Sequence, residues 1–156
     1  MLTEAQNTKK VLLLPPQLKD NGDFAGNTYV DTKGWGYAEF LVAVGTTDVA
    51  AGDAIGSTAE GTAPYVEQCD TSGGSYAKLT GAELADSIQY NEDDKLFQID
   101  VDLVNVAHKR YMQVNAPHSA AGAVNGSNLC IICILSKPEK GPEVAADRGL
   151  EEHIIV

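Results

Sequence analysis

Phe97-Gln98-Ile99-Asp100-Val101-Asp102-Leu103 is the most regular stretch of the chain, with apolar residues at every odd position and polar ones at every even position. A repeat of two is that of an extended strand with one face on a core and the other in water, whereas a helix needs apolar residues three and four apart. Asn91-Glu92-Asp93-Asp94 ahead of it is turn chemistry. Downstream, Arg110 to Asn115 continues as a strand, and Leu129 to Leu135 is apolar at every position, the pattern of a central strand covered on both faces. Upstream, Asn27 to Asp31, Tyr37 to Val44, Tyr65 to Cys69 and Tyr76 to Leu79 read as strands, while residues 46–62 carry only weak periodicity and leave open a loop, a short strand near Ala54-Ile55 or a helical turn. Lys33-Gly34-Trp35-Gly36 and Asp70-Thr71-Ser72-Gly73-Gly74 are the turns between them. Gly81-Ala82-Glu83-Leu84-Ala85 reads as one helical turn. Residues 116–128 read as a loop holding the hairpin dipeptide Asn125-Gly126.

Seven or eight short strands separated by turn signals predict an all-β chain, a β-sandwich of jelly-roll or immunoglobulin-like order, with its body at residues 27–136. Residues 1–26 read as an extended N-terminal arm: Val11-Leu12-Leu13-Leu14 is stopped by Pro15-Pro16, and Lys19-Asp20-Asn21-Gly22-Asp23 follows. Residues 137–156, rich in Pro, Glu, Lys and Gly, read as a C-terminal tail ending in Ile154-Ile155-Val156.

A length of 156 residues with 44% hydrophobic and 21% charged side chains suits one domain with a real core. A net charge of −11 argues against a nucleic-acid partner, because such a surface repels phosphate backbones. No apolar run approaches the ~18 residues that span a bilayer, which argues against a membrane partner. Val11 to Leu14 is too short for a signal-peptide core. The expectation is synthesis in the cytoplasm, with Cys69, Cys130 and Cys133 as reduced thiols and the sequon Asn125-Gly126-Ser127 unused.

Catalytic and cofactor chemistry finds little support in the residues. Cys130 and Cys133 form a C-x-x-C, yet residues three apart on a strand point to opposite faces, so the pair cannot readily share a metal or close a disulfide. His108, His118 and His153 are scattered, and no nucleophile-elbow motif accompanies them. A hydrolase built on His108 and His118 is therefore the weakest rival. Asp100 and Asp102 share a strand face but lack the spacing of a calcium loop, and read as a solvated face. Gly34-Trp35-Gly36 lacks the third glycine and the following helix of a dinucleotide site. Tyr29, Trp35 and Tyr37 are close in sequence, and an exposed aromatic trio would give the alternative function, a carbohydrate- or receptor-binding module. No cofactor and no metal are expected.

The first 22 residues carry a net charge of +1 and the remainder −12. A nearly neutral apolar arm cannot bury enough surface alone to offset its ordering entropy. Val11, Leu12, Leu13, Leu14 and Pro15, together with Ile154, Ile155 and Val156, are thus the expected contacts to neighbouring chains, which points to a component of an assembly.

A family resemblance supports that expectation. Val30-Asp31-Thr32-Lys33-Gly34-Trp35-Gly36-Tyr37-Ala38 with the apolar strand after it resembles the opening of the decoration, or cement, proteins of tailed-bacteriophage heads. Phe97 to Leu103 followed by Lys109-Arg110-Tyr111-Met112-Gln113-Val114, and the 129–135 strand followed by Ser136-Lys137-Pro138-Glu139, are similar to the later strands of the same proteins. The resemblance implies a non-enzymatic β-sandwich on the outer surface of an icosahedral head. Its partners would be the major capsid protein and neighbouring copies of itself, as a homo-oligomer with a trimer as the first expectation.

Overall fold

The computed structural model describes residues 7–19, 28–49, 53–56, 63–117 and 123–139. Among them there is no helix. The strands are β1 (Lys9–Lys19), β2 (Val30–Asp31), β3 (Trp35–Val49), β4 (Asp53–Ile55), β5 (Tyr65–Cys69), β6 (Ala77–Glu83), β7 (Ile88–Gln89), β8 (Leu96–Asp102), β9 (Tyr111–Asn115) and β10 (Ala123–Pro138). They form two four-stranded sheets, β1-β10-β3-β8 and β2-β9-β5-β6, with a small β4-β7 pair.

The pairing follows one rule. β1 pairs with β10, β2 with β9, β3 with β8, β4 with β7 and β5 with β6, all antiparallel. The chain is thus one long double-stranded ribbon folded back at β5–β6. Two further antiparallel ladders, β10–β3 and β5–β9, close the ribbon onto itself as two sheets. That is the jelly-roll order of a β-sandwich, which decides between the two strand orders the sequence left open.

Alternation places the core between the sheets. Ala38, Phe40, Val42 and Val44 of β3 and Leu129, Ile131, Cys133 and Leu135 of β10 are all buried. The register sets Phe40 opposite Cys133 on one side and Ile99 of β8 on the other. Ile99, Val101 and Leu103 are buried and Phe97 packs on the core, while Gln98 and Asp100 are exposed and Asp102 is half-exposed. The alternation read in this stretch therefore holds. The second sheet contributes Val30, Val66, Leu79, Ala82, Met112 and Val114.

Polar groups fasten the connections. Gly34, at φ 82°, occupies the third position of the turn closed by the Trp35 N–H on the Thr32 carbonyl at 3.1 Å, a conformation that favours glycine. The Asp93 carboxylate accepts from the Thr47 N–H at 2.8 Å and from its hydroxyl at 2.6 Å, tying the turn before β8 to β3.

Four readings of the sequence need correction. The described part of the expected arm is not a free segment: Lys9–Lys19 is an edge strand of the first sheet, and Leu13 and Leu14 are each only 3% exposed. The reason is a bulge. Leu12 pairs with Ile132 and Leu14 with the next residue, Ile131, so Leu13 is an extra residue and two consecutive leucines reach the core. Pro15 and Pro16, which lack an N–H, fit because the strand is at an edge and its register shifts again there. The helical turn expected at 81–85 is instead the end of β6 as far as Glu83, where Gly81 takes φ 83° and both Leu79 and Ala82 face inward. Asn125-Gly126 closes no hairpin and lies within β10, beside a register shift in its ladder with β3. β10 also runs past residue 136 to Pro138.

Candidate contact face

The outer face of the β1-β10-β3-β8 sheet follows from the same register. Leu12, Ile132, Leu41 and Gln98 stand abreast on the four strands. On one side lie Lys10, Ile134, Glu39 and Asp100, and on the other Cys130, Ala43 and Leu96. Leu12 is 50% exposed and Leu96 62%. Leu41, Ala43, Cys130, Ile132 and Ile134 are all half-buried in the face. An apolar stripe thus crosses the middle of a sheet face on a chain of net charge −11, and solvated sheet faces are usually polar.

The stripe ends in two concavities. Towards Pro16, a groove of about 250 Å³ is lined by Gln17, Ala43, Gly45, Asn128 and Cys130 among others. Towards the other end, a polar cleft of about 700 Å³ is lined by Asn7, Thr8, Tyr37, Glu39, Ser136, Lys137 and Pro138. There Lys137 Nζ lies 4.9 Å from the centre of the Tyr37 ring. Burial, and then the negative charges of Asp100 and Glu39, push the Tyr37 hydroxyl above its ordinary pKa.

The expected contact residues divide. Leu12 is exposed on this surface, and Pro15 is exposed where the register of β1 shifts. Val11 is half-buried and packs on the core, and Leu13 and Leu14 belong to the core itself, so they are not available to a neighbour. Ile154, Ile155 and Val156 lie outside the described residues. The sequence reading missed Leu41 and Ile132. Their signal was the unbroken apolar run of Leu129 to Leu135, read as a strand covered on both faces; among the described residues no third layer covers it.

The aromatic trio also divides. Tyr29 meets Tyr111 of β9 edge-on, with ring centres 5.3 Å apart and planes at 88°. Tyr37 is on the outer face of the other sheet, and Trp35 packs against the core. They form no common platform. Cys130 and Cys133 fall on opposite faces of β10, as residues three apart on a strand must. His108 is exposed, with Nδ1 3.0 Å from the Val106 carbonyl, and His118 lies outside the described residues. Among the described residues no three His, Cys, Asp or Glu side chains gather closely enough to hold a metal ion.

No protein-family model, curated protein or solved structure matches the chain.

Proposed function

We propose that this chain is a non-enzymatic structural protein of the virion that decorates the outside of a bacteriophage head and stabilises contacts between capsomers. The observation that carries the reading is the row Leu12–Ile132–Leu41, set in register across three strands of an outward sheet face. A side chain of this kind contributes ~1.5–3 kcal/mol when taken from full exposure to full burial. Leu12 is half exposed and Leu41 and Ile132 less, so the row contributes a modest part of the docking energy on the major capsid protein and sets its register. The face, rather than the β1 edge, makes the contact, because Pro15 and Pro16 and the two register shifts interrupt the N–H groups that strand addition needs. Jelly rolls recur in viral shell proteins and in lectins, and that analogy supports the reading at the level of fold alone. Repetition over a symmetric shell multiplies a modest contact by avidity. The acidic remainder of the molecule keeps particles apart.

The test is co-sedimentation with heads stripped of their outer proteins. Leu41→Asp and Ile132→Asp, made singly, should keep a cooperative thermal transition and bind heads about tenfold more weakly or worse. Equal binding by folded variants would remove the sheet face as the docking surface.

A further inference from the structure

The opposite sheet carries a second surface of different chemistry. Val30 pairs with Met112, which sets Tyr29 beside Gln113, and Gln113 pairs with Glu67 of β5. The turn after β5 folds over this row, and Tyr29, Glu67, Gln113, Ser72, Gly73, Gly74 and Tyr76 enclose a cleft of about 500 Å³. That volume is within the range of small-molecule sites. The turn is closed by the Gly74 N–H on the Thr71 carbonyl at 3.2 Å, and by the Tyr76 hydroxyl donating to the Ser72 carbonyl at 3.3 Å. At Gly74 a Cβ would sit 2.5 Å from both Cys69 Sγ and Thr71 Oγ1, so a side chain there would have to displace them. At Gly73 a Cβ would meet nothing within 4 Å, so the turn packs tightly on one side and is open on the other.

The polar floor is pre-set. Glu67 accepts from Gln113 Nε2 at 2.8 Å and from Asn115 Nδ2 at 3.2 Å. The carboxylate thereby fixes the Gln113 amide with its carbonyl oxygen turned away from Glu67. A carboxylate and an amide carbonyl in the floor are both acceptors, which suits a ligand rich in hydroxyl groups. On one wall Tyr29 is held edge-on by Tyr111, and on the other Tyr76 stands in the turn. The neighbouring cations are occupied: Arg110 makes a two-point pair with Asp31, at 2.9 and 2.6 Å, and Lys78 pairs with Glu83.

We infer that this cleft binds a neutral sugar ring of a polysaccharide or glycan. Tyr29 and Tyr76, on opposite walls, would take the two faces of the ring, and Glu67, Gln113 and Ser72 its hydroxyl groups. A carboxylate in the floor and engaged cations around it exclude uronate and sialylated sugars. The Glu67 carboxylate already takes two amide donors, which disfavours a quaternary ammonium between the tyrosines. The docking face proposed above is on the other sheet, so either assignment can fail alone.

The experiment uses the full chain on an array of neutral hexose and N-acetylhexosamine glycans, with sialylated and uronate glycans and a choline titration as separate arms. Hits are followed by saturation-transfer NMR. Neutral glycans should bind and acidic ones should not. Tyr29→Ala and Gly73→Val, which fills the open side of the turn, should each weaken binding by about tenfold or more, while Tyr29→Phe and Tyr37→Ala should not. The last substitution separates this cleft from the aromatic residue on the other sheet. Absence of neutral hits, choline binding in their place, or hits retained by both Tyr29→Ala and Gly73→Val with unchanged melting temperatures would overturn the assignment.

Discussion

Cys130 and Cys133 differ by three positions and by their whole environment. Cys133 is wholly buried, and desolvation, followed by the charge of Glu39, pushes its thiol far above the ordinary range. Cys130, half-exposed on the outer face, is raised by burial alone. Since the thiolate is the reactive form, and Cys69 is also buried, a disulfide-exchange reagent at mild alkaline pH should label no more than one thiol of the native protein. All three should react after unfolding, and Cys130→Ala should remove the native reaction; fast labelling of that variant would contradict this placement. Asp31 gives the corresponding statement for pH. Its hydrogen bonds from Arg110 hold the carboxyl below its ordinary value, against an opposing push from burial. A depressed folded-state pKa adds stability above the unfolded value near 3.8, and that stability is lost as pH falls through the folded value. Asp93, held by Thr47, and Asp102, held by Asn105, shift in the same direction. Because the Asp31–Arg110 pair is partly exposed, its contribution is small. Asp31→Asn should lower the melting temperature slightly at pH 7 and flatten its decline below pH ~4; an unchanged acid slope would mean that the pair does not couple to folding.

Among the elements, β1 shows what a sequence pattern conceals. β8 was legible because its alternation is unbroken and one face meets water. β1 was not, because the bulge at Leu13 sets two leucines inward in succession and Pro15-Pro16 imitates the end of a strand. The same physics hid the end of β6, where Gly81 at positive φ interrupts the period of two. The partnership of β1 with β10, more than 100 residues away, left no local signal at all. Burial makes the three leucines separable. Leu13→Ala and Leu14→Ala should each cost ~2–5 kcal/mol, the usual range for a buried leucine, whereas Leu12→Ser should change thermal stability little. Chemical denaturation of the three variants decides between this and a free arm, for which all three would be neutral. β10 is more critical than β1 because it lies between β1 and β3. Removing residues 9–19 should leave a destabilised sandwich, while a chain ending at residue 122 should show no cooperative transition. A folded protein lacking β10 would refute the ribbon rule as the basis of stability.

At the scale of the whole molecule, folding the ribbon into two sheets gives two outer faces built by different rules. The middles of β3 and β10 are apolar on both of their sides, so the first sheet keeps Leu41 and Ile132 outward after its core is filled. β9 and β5 place Gln113 and Glu67 outward, with aromatic residues at either side. Little of this division was legible beforehand: Tyr29 and Tyr37 are eight positions apart yet on different sheets, and Tyr76 lines the same cleft as Tyr29 only because β2, β9 and β5 lie side by side. If the apolar face docks on a shell, the saccharide cleft faces outward, and the two functions should separate by mutation, as expected for sites with no shared partners. Leu41→Asp should weaken head binding by about tenfold while leaving neutral-glycan binding of the free protein unchanged. Tyr29→Ala should do the reverse, giving decorated heads of normal occupancy that no longer bind a neutral polysaccharide column. Raising the salt from 0.05 to about 0.5 M should change either affinity only slightly, since the docking row is apolar and the sugar uncharged. The measurement is occupancy by gel densitometry alongside column retention for each particle type. Loss of both properties in either single variant, with the fold intact, would show that the faces are coupled and that the molecule does not present two independent surfaces.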